Sequence, residues 1–255
     1  MKRYELVDTL RGISILSMIA FHTCWLLNYF RIAVPTAMLY GKGFLIWERS
    51  ICIAFIMISG FSFSFGHRHI RMGLELFLIG LAITALTCIF LPDIRIVFGI
   101  LTFLGSATLI MIPIDKAYHK ASNGDNASEP VNVMLLTISL LLFVLTYNIN
   151  IGYLGIRGVW SANLPQVLYK GYPATFIGFM EPGFVSTDYF SVIPWLFIYL
   201  YGYFLHKAVM GSPRGVNTLN RGISPISFLG RHSLIIYLIH PIVIYLILYF
   251  ARYLK

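Results

Sequence analysis

Three ionisable side chains interrupt an apolar run near the start of the chain. Asp8, Arg11 and His22 lie within residues 4–30, which are otherwise mostly hydrophobic. On a helix with about 100° per residue, Arg11 lies about 20° from His22 around the axis and Asp8 about 40° to the other side. A rise of about 1.5 Å per residue places His22 roughly 21 Å from Asp8, most of the way across a hydrocarbon core of about 30 Å. Ionisable groups are costly in lipid, so we expect this stripe to face protein and to mark a functional site.

His22 has the chemistry of a general base. An imidazole titrates near neutral pH and can take a proton from an attacking hydroxyl or amine, as acyl transfer from a thioester requires. Arg11 can pair with Asp8 or bind a phosphate group. The alternatives are a purely structural Asp8–Arg11 ion pair at i, i+3, and a packing role with a hydrogen bond for His22.

The last apolar run has a second group of polar side chains. Ser233, Tyr237 and His240 recur at spacings of four and three residues and therefore share one helix face. Polar side chains on a membrane helix meet another helix or a wet cavity, because lipid cannot satisfy them. Both interhelical hydrogen bonding and substrate contact fit this pattern. Arg231, at the start of the run, fits either an interfacial anchor or a contact to an anionic ligand.

The composition is that of a polytopic membrane protein. The 255 residues are 58% hydrophobic and 11% charged, and the mean hydropathy is +0.79. The net charge of +9 falls in short segments between apolar runs, where it indicates topology and contact with anionic headgroups rather than nucleic acid. The three cysteines lie inside apolar runs without CxxC spacing, so we expect neither disulfides nor a metal site.

The apolar runs predict an all-α fold of about seven transmembrane helices in one bundle, forming one domain over residues 1–255. Polar residues 115–130 predict a loop, and residues 148–188, rich in Gly, Pro and aromatics, predict an ordered extracytoplasmic segment. The Lys and Arg distribution favours a cytoplasmic N-terminus. The predicted spans are 4–30, 45–65, 72–91, 96–114, 131–147, 190–210 and 233–250.

Three segments resemble a known superfamily. The sequence DTLRG at residues 8–12, followed by His22, resembles the opening of integral-membrane acyltransferases, and LGRHSLIIYLIHP at residues 229–241 resembles their closing helix. Residues 185–207, VSTDYFSVIPWLFIYLYGYFLHK, are similar to the branch related to the catalytic domain of heparan-α-glucosaminide N-acetyltransferase. The resemblance, with these motifs in this order, spans essentially the whole chain.

The resemblance implies transfer of an acetyl or other acyl group from cytoplasmic acyl-CoA to a sugar or glycan-type acceptor at the opposite face. It implies that His22 is the catalytic histidine and that Asp8 and Arg11 shape the site and the donor path, so Asp8 is a second candidate catalytic residue and Arg11 a candidate contact to acyl-CoA. Acyl-CoA would be a co-substrate rather than a permanently bound cofactor, and direct transfer and an acyl-histidine intermediate both fit. Homo-oligomerisation is left open, and resemblance to the bacterial branch of the family implies a location in the bacterial inner membrane. The further candidate residues for substrate or acyl-CoA binding are Arg68, Arg71, Arg231, Ser233, Tyr237, His240, Asp188 and Trp195.

Two other classes of protein fit the same residues. A transporter or flippase for a lipid-linked or anionic solute would use His22 and Asp8 as a proton relay. The sequence shows no internal repeat, which counts modestly against this alternative. A non-catalytic membrane scaffold would use the buried charges only for packing, and it predicts that neutral substitutions at His22 are tolerated.

Overall fold

The computed structural model of the protein describes residues 4–123 and 127–253. Within these residues, seven helices are long and apolar enough to cross a membrane: α1, α3, α4, α5, α6, α8 and α11. The prediction of an all-α integral membrane protein with about seven transmembrane helices is therefore confirmed. In chain order the helices are α1 (Glu5–Tyr29), α2 (Thr36–Leu39), α3 (Lys42–Phe63), α4 (His69–Phe90), α5 (Ile100–Ala121), α6 (Glu129–Thr146), α7 (Gly171–Ile177), α8 (Val192–Met210), α9 (Pro213–Leu219), α10 (Ser224–Arg231) and α11 (Ser233–Tyr253).

The lengths of the spanning helices match a bilayer. The longest, α1, has 25 residues, and the shortest, α6, has 18. At about 1.5 Å per residue they reach roughly 37 and 27 Å, close to the thickness of the hydrocarbon core. Most helix ends lie within about three residues of the predicted limits.

Helix α5 differs most from its prediction. It begins at Ile100, and it continues to Ala121 through residues that were predicted to form a loop. The polar side chains of this extension are not solvated loop residues. Asp115 and His119 recur one turn apart and meet polar partners on α8, which supports the helix beyond its apolar part.

The chain divides into two compact units. The first runs up to Ile58 and resumes at Ser212, and the second comprises Ser59–Gly211, so α3 contributes to both. The single domain over residues 1–255 stays a prediction.

In the first unit, α1 packs against α10, α11 and the first part of α3. Ile15 and Met18 of α1 and Ile51 of α3 are buried together. The indole N–H of Trp47 on α3 donates to the hydroxyl of Ser17 on α1 at 2.8 Å. These contacts fix one side of α1 and leave the opposite side to α10.

Glycines allow α1 and α10 to touch backbone to backbone. A Cβ atom at Gly12 would overlap the carbonyl of Ile226, and one at Gly230 would overlap the carbonyl of Asp8. The backbone N–H of Ile223, which precedes α10, donates to the hydroxyl of Thr9 at 2.9 Å. The Arg-Gly pair of the N-terminal motif thus has a packing reason at Gly12, because a larger residue would separate the helices.

In the second unit, α4 packs along α5 and α6 packs along α8. Gly105 of α5 lies so close to the backbone of Phe77 on α4 that a side chain would not fit. Further along the same pair, Gly80 of α4 lies against Thr102 of α5. Small residues at these points permit close contact of helices that have no hydrophobic drive to associate in lipid.

The segment between α6 and α8 is folded rather than extended. It forms an antiparallel hairpin of β1 (Tyr153–Ile156) and β2 (Trp160–Asn163), with Tyr153 opposite Asn163, and then helix α7. The hydroxyl of Tyr169 donates to the carbonyl of Ile149 at 2.6 Å, and that of Tyr189 donates to the carbonyl of Thr175 at 2.6 Å. Burial raises the pKa of Tyr169, and it raises the pKa of Tyr189 to about 12, so both hydroxyls stay protonated donors at neutral pH.

Candidate functional site

The two histidines singled out by the sequence lie side by side in the first unit. The ring centroids of His22 on α1 and His240 on α11 are 5.1 Å apart, with the ring planes tilted by 56°. No hydrogen bond joins the two rings in the described part of the chain. The face of α11 that was predicted to carry polar groups therefore meets the ionisable stripe of α1 at the depth of His22.

The hydrogen bonding of His240 fixes its protonation pattern. Its Nδ1 lies 3.0 Å from the carbonyl oxygen of Ile236 one turn earlier. Because a carbonyl only accepts, Nδ1 must donate, and in the neutral ring Nε2 carries a lone pair. His240 is 6% exposed, and its Nε2 has no hydrogen-bond partner among the described residues. A buried imidazole with an unused acceptor is costly to keep, which is typical of a site that receives a ligand or a proton.

Aromatic side chains surround the histidine pair. Phe21 meets His22 edge-on with centroids 5.6 Å apart, and Tyr237 lies 6.0 Å from His240. Phe55 of α3 lies 6.4 Å from Tyr237. His22 itself is half-buried. His22 is thus partly exposed, whereas His240 is enclosed by its neighbours.

Asp8 and Arg11 form the predicted ion pair. The Arg11 Nη1 atom lies 2.9 Å from the Asp8 Oδ1 atom, and the two side chains are 22% and 13% exposed. Both belong to the same helix as His22, so the rise of α1 keeps Asp8 roughly 21 Å away from the imidazole. Asp8 therefore does not contact His22. A catalytic role for Asp8 stays a prediction, and Asp8 would act at a different depth in the membrane from His22.

The remaining predicted residues of the first unit have no comparable setting. Ser233 is half-buried on the face of α11 that also bears Tyr237 and His240. Arg231 is exposed, and its guanidinium lies over the ring of Phe228 at 5.9 Å. Their assignment to substrate or acyl-CoA stays a prediction.

Arg68 and Arg71 lie at the beginning of α4 in the second unit, where they line an open groove of about 650 Å³ together with Lys116 of α5. Arg71 is paired with Glu75 on the surface, with its Nε atom 2.7 Å from Oε1. Arg68 is exposed. The structure therefore brings these two predicted residues together with a third cation.

Asp188 and Trp195 have structural roles in the second unit. The Oδ2 atom of Asp188 accepts from the backbone N–H of Ile100 at 3.1 Å, at the first residue of α5. Trp195 is 2% exposed and lies between Phe143 and Phe190, with centroids 5.7 and 5.0 Å away. Capping and packing account for both residues, and substrate contact at either stays a prediction.

A polar network between α5 and α8 was not predicted from the sequence. The hydroxyl of Tyr203 donates to Oδ1 of Asp115 at 2.6 Å, and Nζ of Lys207 lies 3.4 Å from Nε2 of His119. Lys207 is 6% exposed, and its ammonium also lies 5.2 Å from the ring centroid of Tyr118. The signal was available, because Asp115 with His119 and Tyr203 with Lys207 each recur at four residues. The prediction placed Asp115 and His119 in a loop, so their pairing with a neighbouring helix was not recognised.

Metal ligation finds no support in the described ranges 4–123 and 127–253, where no three His, Cys, Asp or Glu side chains form a group that could hold an ion. The histidine pair offers two nitrogen ligands only, which is fewer than structural or catalytic zinc sites use. The imidazoles of the pair can transfer protons, donate or accept hydrogen bonds, and act as nucleophiles.

Comparison with known proteins places this arrangement in a family. No curated protein and no solved structure matches the chain. The family model described as "Heparan-alpha-glucosaminide N-acetyltransferase, catalytic" matches residues 3–242, a range that begins before α1 and ends just after His240. The match thus includes both histidines, and it supports a membrane acetyltransferase-type function. The chain belongs to the heparan-alpha-glucosaminide N-acetyltransferase catalytic family.

Proposed function

We propose that this protein transfers an acyl group, commonly acetyl, from acyl-CoA to a hydroxyl or amine of a sugar or glycan acceptor, with His22 as the general base. The donor binds from the cytoplasmic side and the acceptor from the opposite face. The proposal rests on membership of the family and on one structural observation, the pairing of His22 with His240.

The pairing supports base chemistry at His22 for a physical reason. A single half-buried histidine is commonly a packing residue whose nitrogens are satisfied by neighbouring groups. Here the second ring has one nitrogen committed to Ile236 and the other unused. Keeping two imidazoles adjacent without a bond between them leaves acceptor capacity for a ligand, and a proton can be held at either ring.

The transfer forms one new bond to the acyl carbon and breaks the thioester bond. The acceptor oxygen or nitrogen attacks the thioester carbonyl carbon while His22 removes the proton of the acceptor. The new bond to the acyl carbon forms, the carbon–sulfur bond breaks, and the CoA thiolate leaves. The proton held by His22 then passes to the thiolate or to solvent. A second route, in which His22 first takes the acyl group and then delivers it, has the same net balance.

His240 acts in this proposal as a positioning residue. Its Nε2 atom is buried without a hydrogen-bond partner among the described residues, so its lone pair can accept a hydrogen bond from the acceptor group or from His22 once a substrate is bound. The hydrogen bond to Ile236 holds the ring in the tautomer that makes Nε2 an acceptor. Its effect is to orient the reacting group rather than to remove the proton.

Acetyl-CoA binding and turnover test the proposal directly. The protein is purified in detergent, and binding of acetyl-CoA, and release of free CoA with glucosamine as the test acceptor, are measured for the wild type, His22→Gln and His22→Ala. We expect both variants to bind the donor, with turnover reduced about 10²–10⁴-fold, the usual contribution of general base catalysis. The matched control is His232→Ala, which removes an exposed histidine of the same unit and should leave turnover unchanged.

Two outcomes would contradict the proposal. If His22→Gln turns over acetyl-CoA at the wild-type rate, His22 is not the base and the scaffold alternative gains. If the wild type binds no acyl-CoA at all, the acyltransferase function itself is wrong, and reconstituted transport of anionic solutes becomes the next measurement.

A further inference from the structure

A groove between α4 and α5 is lined by cations at one end and by apolar side chains along its length. Its volume is about 650 Å³, and it is open to the outside of the second unit. The cations Arg68, Arg71 and Lys116 lie at the end of the groove where α4 begins, and the apolar side chains of Leu74, Leu78 and Ile112 continue it along the helices. No step of the proposed acyl transfer has been assigned to this groove, and the predicted contact of Arg68 and Arg71 with acyl-CoA stays a prediction.

The cations of the groove are not all neutralised. Its one acidic side chain, Glu75, pairs with Arg71. Arg68 and Lys116 are exposed, and their side chains make no hydrogen bond or ion pair within the part of the chain that the structure describes. Two positive charges therefore face the groove without a protein counter-charge, which favours an anionic ligand.

The apolar part of the groove faces outward. Leu74 is 46% exposed and Leu78 is 60% exposed, although both belong to a membrane-spanning helix. Leu74 and Leu78 follow Arg71 on one face of α4, so the groove passes from charge to hydrocarbon within about 10 Å along the helix axis. A ligand that fits this order has its charge at the membrane surface and its apolar part directly below, in the bilayer.

We propose that this groove binds one anionic phospholipid, with the headgroup phosphate at Arg68 and Lys116 and an acyl chain along Leu74, Leu78 and Ile112. Arg–phosphate contacts and juxtamembrane basic residues both favour such a headgroup. Acyl-CoA also has phosphates, but its acyl chain is separated from them by the polar pantetheine arm. The immediate change from cations to leucines therefore favours the lipid.

Lipid binding by a charge-matched pair of variants tests this assignment. The protein in neutral detergent is titrated with phosphatidylglycerol or phosphatidylcholine, and bound lipid is counted by native mass spectrometry. The groove variant is Arg68→Gln with Lys116→Gln. The control variant is Arg214→Gln with Arg221→Gln, which removes two exposed cations of the first unit.

We expect the groove variant to lose affinity for phosphatidylglycerol about 10- to 30-fold, while the control variant keeps it, because two surface cations contribute about this much to binding an anionic lipid. Phosphatidylcholine should bind more weakly to the wild type. Glycerophosphoglycerol, which is the same headgroup without acyl chains, should not compete, because it cannot use the leucines.

Three results would overturn the assignment. Equal losses in the two double variants would mean that total charge, and not this groove, attracts the lipid. Competition by glycerophosphoglycerol would show a site for a free phosphate ester. Displacement of the lipid by acetyl-CoA, together with weaker acetyl-CoA binding by the groove variant, would assign Arg68 and Lys116 to the donor.

Discussion

The histidine pair of the first unit and the polar network of the second unit differ in how completely their hydrogen-bonding capacity is used. In the network, Asp115 accepts from Tyr203 and Nε2 of His119 lies 3.4 Å from Nζ of Lys207, so each of the four side chains has a polar partner. In the pair, His240 keeps a buried Nε2 without a partner among the described residues. A satisfied buried network serves stability, whereas an unsatisfied one costs free energy that a ligand can recover. Unused capacity beside a second imidazole, rather than polarity alone, therefore distinguishes the candidate site.

The largest expected effect concerns the unused acceptor. His240→Leu should reduce turnover of acetyl-CoA about 10²-fold, because the reacting group loses its orienting contact. The Tm should stay unchanged or rise slightly, because the desolvation cost of the unpaired Nε2 disappears. The measurements are kcat, KM for acetyl-CoA and thermal unfolding in detergent.

A second buried histidine provides the control for that experiment. His206 is 7% exposed, lies between Phe61 and Phe65, and also has a ring nitrogen without a partner within residues 4–123 and 127–253. His206→Leu should retain full turnover. Equal losses in the two variants would show that any buried histidine matters equally, and the distinction between the two regions would fail.

The scaffold of the first unit should respond strongly to a single methyl group. Gly230→Ala places a Cβ atom where the Asp8 carbonyl lies, so α10 must move away from α1, and we expect a loss of about 3 kcal/mol of stability. Thermal unfolding in detergent should show a Tm lower by roughly 6–12 °C. The control is Gly43→Ala, where a Cβ atom would meet nothing within 4 Å and a small gain is expected. A Gly230→Ala protein as stable as the wild type would contradict the close packing of α1 and α10.

The satisfied network should show a smaller effect, and on stability alone. Tyr203→Phe removes the hydroxyl that donates to Asp115, and we expect a loss of about 2 kcal/mol, typical of a hydrogen bond to a charged group. Tyr201→Phe, on the same helix, is the matched control and should have no effect. If Tyr203→Phe abolished turnover while the protein stayed folded, the network would belong to the chemistry and the comparison would have to be redrawn.

The smallest effect is expected at Asp188. Asp188→Ala removes the acceptor for the first backbone N–H of α5, which should cost about 1 kcal/mol, as for other helix caps. Asp93→Ala removes an exposed acidic side chain of the same unit and serves as control. Because capping accounts for Asp188, its variant should bind acetyl-CoA as the wild type does. A specific loss of substrate binding would restore the role predicted from the sequence.

The sequence predicted what depends on local chemistry. Hydropathy located the seven spans, and helical periodicity placed Asp8, Arg11 and His22 on one stripe, with the Asp8–Arg11 ion pair present as one of the two alternatives. It also placed His240 on a polar face of the last span. These features follow from spacing within single helices, which a sequence displays directly.

The sequence could not supply contacts between distant segments. The meeting of His22 with His240 joins the two ends of the chain, and no local pattern encodes it. The end of α5 was misplaced for the same reason, because Asp115 and His119 look like loop residues until α8 brings Tyr203 and Lys207 beside them. Asp188 and Trp195 were assigned to substrate from a family motif, whereas tertiary contacts give them capping and packing roles.

The hairpin between α6 and α8 has a practical consequence. Its strands are paired from Tyr153–Asn163 to Ile156–Trp160, but at its tip Val159 is 85% exposed and nothing lies within 4 Å of a Cβ atom at Gly158. Exposed loop tips of this kind tolerate inserted sequence well. An epitope or a small rigid domain inserted after Gly158 would therefore provide a fiducial mark for electron cryomicroscopy. In intact cells, antibody access to the same insertion would reveal which side of the membrane the hairpin occupies.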